Sequence, residues 1–151
     1  MQELKILNSK EKKEIFKKIK EQWDAEFKED YDFLMTEQEK IYIVNKEIAK
    51  IDFSKIKINS IGMYFGKIFK EEIRLSVEGA QLIGKKAEKN IIELNDSEAR
   101  SYMKGNDIDK KSDCSGFVLL KNNKDFIGTA KYKDGKIMNY MPKERRIKAT
   151  D

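Results

Sequence analysis

Gly116–Arg146 reads GFVLLKNNKDFIGTAKYKDGKIMNYMPKERR, and its pattern decides how the carboxyl-terminal half folds. Phe117–Leu120 is a short apolar run, NNKD breaks it, and Phe126–Tyr132 resumes it. Asp134-Gly135 then supplies the pair that two-residue hairpin turns favour, because both central positions of that turn need positive φ. Lys136–Tyr140 completes a predicted β-meander of short strands. Pro142, the one proline of the chain, cannot donate to a ladder, so the last strand is expected to stop near Met141.

Upstream of the meander, Ile91–Leu94 predicts a short strand. Asn95-Asp96-Ser97-Glu98 has the spacing of a capping box ahead of Ala99, Tyr102 and Met103, with Gly105 just past the helix end. The lysine-rich Gly84–Asn90 (GKKAEKN) reads as a linker between two apolar patterns. Before it, Ser76 is placed to cap a helix over Val77–Gly84 with Val77, Ala80, Leu82 and Ile83 inward. Asp32–Glu37 and Lys40–Asn45 predict a hairpin, Lys46–Ile51 a helical turn or two, and Ile56–Ile68 a β-rich stretch. Gly62 and Gly66 mark bends or close backbone approach in that stretch. Near the start, Ser9 is the expected N-cap of an amphipathic helix with Ile15, Ile19 and Trp23 at i, i+4, i+8 and Phe16 and Phe27 alongside.

The chain has 151 residues, enough for one domain or two small ones, and 39% of them are charged. A net charge of +5 is weak evidence for an anionic partner because both signs are mixed along most of the chain. Its distribution says more: Lys131, Lys133, Lys136, Lys143, Arg145, Arg146 and Lys148 are opposed only by Asp134 and Glu144 before the final Asp151. With one cysteine and no histidine, an internal disulfide, Ser-His or Cys-His chemistry and zinc are not expected. No metal or cofactor is expected. The opening MQELKILNSKEKKEIFKK carries no signal-like apolar run and nothing later approaches a membrane span, so a cytoplasmic protein is expected.

Candidate sites divide by chemistry. GMYFG (Gly62–Gly66) lacks both the dinucleotide fingerprint and a Walker lysine, which favours structural glycines. Glu71-Glu72 are adjacent acids that do not converge on one substrate, and Cys114 has no histidine to activate it. Tyr64, Phe65 and Phe69 read as core more readily than as a stacking platform. Two readings of the basic end stay open. One is a hairpin with a frayed, solvated tail. In the other, a proline-fixed exit holds Lys143, Arg145 and Arg146 near Lys131, Lys133 and Lys136 as a phosphate-binding surface. Asn139 and Tyr140 would then add hydrogen-bonding and stacking groups.

The strings ELNDSEARSYMKGNDI (Glu93–Ile108) and Gly116–Arg146 resemble the PUA-like RNA-binding module of Nop/Sun-type rRNA cytosine-C5 methyltransferases. In that family a capped helix ending in glycine, a G-[WF]-V strand, a D-x-x-[LI]-G strand and a K-N-[HY]-x-P-K-x-x-R segment follow one another. Here the last two read Asp125-Phe126-Ile127-Gly128, one residue shorter than that pattern, and Met138–Arg146, with Met138 in place of the lysine. Upstream, Asn59–Lys67 followed by Ile73–Gly79 is similar to the pre-PUA domain of Nip-type ribosome-assembly factors. The Pro-Cys and Thr-Cys motifs of the methyltransferases have no counterpart in this sequence.

The resemblance implies an α+β protein: a small mixed pre-PUA-like domain over residues 1–88, then a PUA-like β-barrel of short strands over 90–151. It implies a non-catalytic RNA-binding protein acting on rRNA in ribosome biogenesis or rRNA modification. Lys131, Lys133, Lys136, Asn139, Tyr140, Lys143, Arg145 and Arg146 are the expected RNA-binding residues. Alternatives are a tRNA-binding accessory protein, or an adaptor that docks on an rRNA-modifying enzyme or ribosome-assembly factor. No DNA or membrane partner is expected.

Overall fold

Asn8, rather than Ser9, caps the first helix: its side chain accepts from the Glu11 N–H at 2.9 Å, and Glu11 reaches back to the Asn8 N–H at 3.0 Å. Both residues permit the cap, but only Asn8 has a glutamate three positions on. The computed structural model describes residues 4–27, 31–44 and 62–147. The expectations for Lys46–Ile51, for Ile56–Ile61 and for Lys148 lie outside the described residues.

In the amino-terminal half, β1 (Leu4–Ile6), β2 (Asp32–Thr36), β3 (Lys40–Val44), β4 (Met63–Phe69) and β5 (Glu72–Leu75) form a sheet in chain order. All its neighbours are antiparallel. Helix α1 (Ser9–Trp23) lays Ile15, Ile19 and Trp23 on this sheet, where they are fully buried among Phe27, Phe33, Phe65 and Ile73. Each such side chain contributes on the order of 1.5–3 kcal/mol of burial. The predicted hairpin is β2–β3. The short edge strand β1 and strand β5 are additions that the sequence pattern did not show.

Helix α2 (Val77–Gly84) is capped by Ser76 and wedged between the halves. Its two glycines permit the fit: a Cβ at Gly79 would run into the Phe65 carbonyl oxygen, and one at Gly84 into the Phe126 ring.

The second sheet runs in the order β6 (Ile91–Glu93), β8 (Gly116–Asn122), β9 (Asp125–Lys133), β10 (Lys136–Met138), β7 (Ile108–Asp109). β6 is parallel to β8, and the remaining pairs are antiparallel. Helix α3 (Asp96–Met103) has the expected capping box, with Asn95 and Glu98 bonded reciprocally at 2.8 and 2.9 Å. The meander forms as read, with Asp134 and Gly135 both at positive φ in its second turn. β10 ends at Met138, however, not near Met141, because Asn139 turns its hydrogen bonds to the α3–β7 connection.

The halves share one strand. Along β8, Phe117 and Leu119 belong to the amino-terminal core, while Val118 and Leu120 belong to the carboxyl-terminal one. Two hydrophobic clusters therefore form, and strand β8 contributes to both. The lysine-rich segment after Gly84 is likewise tied down rather than free: the Glu88 N–H donates to the Trp23 carbonyl at 2.9 Å, and Asn90 Nδ2 to the Gln22 carbonyl at 2.6 Å. Lys85 and Lys89 are exposed and Lys86 lies over the Phe27 ring, while the Glu88 and Lys89 N–H groups cap the end of α1.

Candidate nucleic-acid interface

The segment after β10 is fastened, not frayed. Asn139 Nδ2 donates to the carbonyls of Tyr102 at 2.6 Å and Asn106 at 3.0 Å, and its Oδ1 accepts the Met141 N–H at 2.8 Å. Its own N–H donates to Asp107 Oδ1 at 2.8 Å. Met141 is buried in the second core, and Pro142 leads into a single 3-10 turn over Lys143–Arg145. Arg146 Nε donates to the Met141 carbonyl at 3.0 Å, and the Ile147 N–H to the Met103 carbonyl at 2.8 Å. Asn139 and Arg146 thus hold the segment in place, Asn139 through both atoms of its amide and Arg146 through Nε. The sequence reading assigned both to RNA.

The other expected residues separate into distinct places. Lys131 and Lys133 flank a shallow groove with Glu72, Cys114 and Gly116. Lys131 lies 3.9 Å from Glu72 and sits over the Phe117 ring. Lys136 lies 4.0 Å from Asp109 on the neighbouring β7. Arg145 pairs with Glu78 of α2. Lys133 and Lys143 are exposed and have no ion-pair partner among the described residues. Tyr140 and Arg145 line a second, larger groove.

That larger groove, about 620 Å³, runs between the two halves and is walled by residues that sequence reading missed. On β3–β5, Tyr42 stands opposite Tyr64 with ring centroids 5.4 Å apart. Lys40 is in register with Lys67, and Lys67 with Arg74. The Arg74 guanidinium lies over the Tyr140 ring, which in turn approaches Phe117 at 6.1 Å. Partial burial pushes the Tyr64 phenol up, against the pull of neighbouring Arg74. Burial likewise opposes ionisation of Glu78, but the Arg145 hydrogen bond and charge outweigh it and leave the carboxyl below its ordinary value. Tyr64, Phe65 and Phe69 have three different fates: Phe65 is core, Phe69 is exposed, and Tyr64 lines the groove. The available signal was the alternation in KIYIV, which puts Lys40 and Tyr42 on the face opposite Ile41 and Ile43.

The half-buried Cys114 has its sulfur 4.0 Å from the Ile91 carbonyl. Among the described residues, no group of three or more Cys, Asp or Glu side chains could hold a metal ion, and no helix is long and apolar enough to cross a membrane.

Residues 4–77 match the family model described as the NIP7/UPF0113 pre-PUA domain, and residues 89–147 match that of the methyltransferase RsmF PUA domain. The fold is that of a pre-PUA-like domain followed by a PUA-like domain. Both domain types point to RNA binding and to ribosome-related work. Curated relatives include the ribosomal RNA small subunit methyltransferase F of Aeromonas salmonicida, 28% identical over 91 residues. The protein of the same name from Aeromonas hydrophila is 26% identical over 112 residues. These alignments cover 60% and 74% of this chain but only 19% and 23% of the relatives' own length. In domain terms, β1–β5 with α1 lie in the pre-PUA match, and α3 with β6–β10 in the PUA match.

Proposed function

We propose that the protein binds ribosomal RNA as a non-catalytic, cytoplasmic accessory factor in ribosome assembly or rRNA modification. The observation that carries this reading is the succession of the two matched domains, whose relatives are named for small-subunit rRNA methylation. The exposed Lys133 and Lys143, with Lys131, Lys136 and Arg145 at the margins, supply the positive charge that phosphate contacts require. Non-catalytic action fits a chain with no histidine and one half-buried thiol. S-adenosylmethionine is accordingly expected to give no heat of binding in calorimetry. Crosslinking in cells followed by sequencing of the attached RNA tests the main reading. Enrichment of small-subunit rRNA supports it, whereas enrichment of tRNA alone, or recovery of no RNA, overturns it.

A further inference from the structure

The expected RNA-binding residues all lie in the PUA match, yet the groove of about 620 Å³ between the halves is walled on one side by the pre-PUA sheet. Along its β3–β5 wall, Lys40, Lys67 and Arg74 bring three cations, and Tyr42 and Tyr64 bring two aromatic rings, to the same groove. From the other side come Tyr140, which is 41% exposed, and Thr129 of β9. Thr129 is only 4% exposed, and its Oγ1 has no hydrogen-bond partner among the described residues. A buried hydroxyl left unpaired is unfavourable, so one persisting in the lining of an open groove points to a polar group arriving from outside. Glu78 and Glu144 also line the groove, but Arg145 neutralises Glu78.

We propose that this groove receives one unpaired nucleotide of single-stranded RNA, its phosphate held by Lys40, Lys67 and Arg74, and its base by Tyr64, Tyr140 and the Thr129 hydroxyl. The inference rests on the RNA-binding reading and extends the footprint from the PUA domain onto the pre-PUA sheet. Aromatic rings beside cations suit an unstacked base with its phosphate, whereas a duplex offers its backbone but buries its base faces. A groove of about 620 Å³ at a junction of two domains is within the usual range for ligands of this size. The phosphate is met by side chains here, since the Gly79 N–H at the start of α2 is already taken by Ser76 Oγ.

The test measures binding of fluorescein-labelled hexauridylate and hexaadenylate, a blunt RNA duplex, and free UMP and AMP to the full chain. The variants are Thr129→Val, Tyr64→Leu and Lys40→Ala/Lys67→Ala. Thr129→Val should keep or raise the melting temperature, because it removes an unpaired hydroxyl, yet weaken hexamer binding at least fivefold with duplex binding unchanged. Tyr64→Leu should do the same to binding. The double lysine variant should flatten the salt dependence for the hexamers by about 1.4, at about 0.7 per lost contact. If wild type binds RNA and both Thr129→Val and Tyr64→Leu stay within twofold of it, the groove site is wrong while the RNA-binding reading stands. If wild type binds none of the RNAs, both fall. Free UMP or AMP binding as tightly as a hexamer would overturn RNA as the source of the nucleotide.

Discussion

The Arg74 guanidinium lies 5.0 Å from the centroid of the Tyr140 ring, so a cation from the pre-PUA sheet covers an aromatic from the segment that closes the PUA domain. Phe117 approaches the same ring, which makes Tyr140 a bridge between the halves rather than a tail residue. Because 41% of Tyr140 is still exposed, it remains available to a base. Tyr140→Ala is expected to weaken single-stranded RNA binding by about 1–3 kcal/mol with little change in salt slope. Titrations at several salt concentrations check this. A fall in melting temperature with unchanged affinity would make Tyr140 only a packing residue.

Salt dependence also separates the basic residues from one another. Lys133 and Lys143 are exposed and free of ion pairs among the described residues, so their charges are available to phosphates. The double variant Lys133→Ala/Lys143→Ala should flatten the plot of log affinity against log salt by up to about 1.4 for single-stranded RNA. Its thermal stability should be unchanged, since exposed lysines contribute little to folding. An unaltered slope would remove both residues from the interface.

Asn139 should behave in the opposite way. Its side chain satisfies the Tyr102 and Asn106 carbonyls and the Met141 N–H, so Asn139→Ala leaves several backbone groups unpaired. A loss of about 1–3 kcal/mol is expected for a buried group left without its partner. Urea denaturation should show that loss, while the folded variant keeps its RNA affinity. Undiminished stability with lost RNA binding would restore Asn139 as an RNA contact.

These residues show which parts of the fold could be read from sequence. Local chemistry was legible: Asn95 with Glu98, Asp134 with Gly135, and the Ile15–Ile19–Trp23 stripe each fix an element within a few residues. β1, β5 and β7 were not, because they have neither the apolar run that showed β6 nor the Asp-Gly turn that showed β10. The groove was invisible for a different reason. Lys40, Arg74, Thr129 and Tyr140 are brought together only by the packing of one sheet against the other, and no spacing in the sequence encodes that. The anchoring of Asn139 was equally hidden, because its partners are carbonyls more than thirty residues upstream.

Acid should loosen the PUA domain through Glu98. The Asn95 N–H bonds its carboxylate, and Lys110 lies 2.9 Å away, so despite some desolvation the group ionises below its ordinary value of 4.5. A depressed carboxyl stabilises the fold fully above its unfolded value and loses that contribution as pH falls through the folded value. The loss therefore falls below about pH 4.5. Glu98→Gln should lower the urea midpoint at pH 7 and shrink the difference between pH 7 and pH 3. Equal pH dependence of variant and wild type would exclude this role. Asn95→Ala, which removes the other half of the box, should cost about 1 kcal/mol.

Trp23 decides whether the two domains unfold together. It is the one tryptophan of the chain, fully buried at the end of α1, and its Nε1–H donates to the Phe117 carbonyl of β8 at 3.1 Å. Its own carbonyl accepts from the Glu88 and Lys89 N–H groups, so the connection between the domains is tied to the same residue. Phe117 and Leu119 complete the pre-PUA core from a PUA strand. Opening either domain alone would strip apolar cover from the other, and the expected outcome is one cooperative transition. Tryptophan fluorescence reports the junction and far-ultraviolet circular dichroism reports both sheets, so their urea midpoints should coincide. Trp23→Phe keeps an aromatic side chain but removes the hydrogen bond and part of the buried area. It should destabilise that single transition by about 1–3 kcal/mol. Two resolved transitions in wild type, with only the fluorescent one shifted by Val44→Ala, would instead show domains that fold independently despite the shared strand.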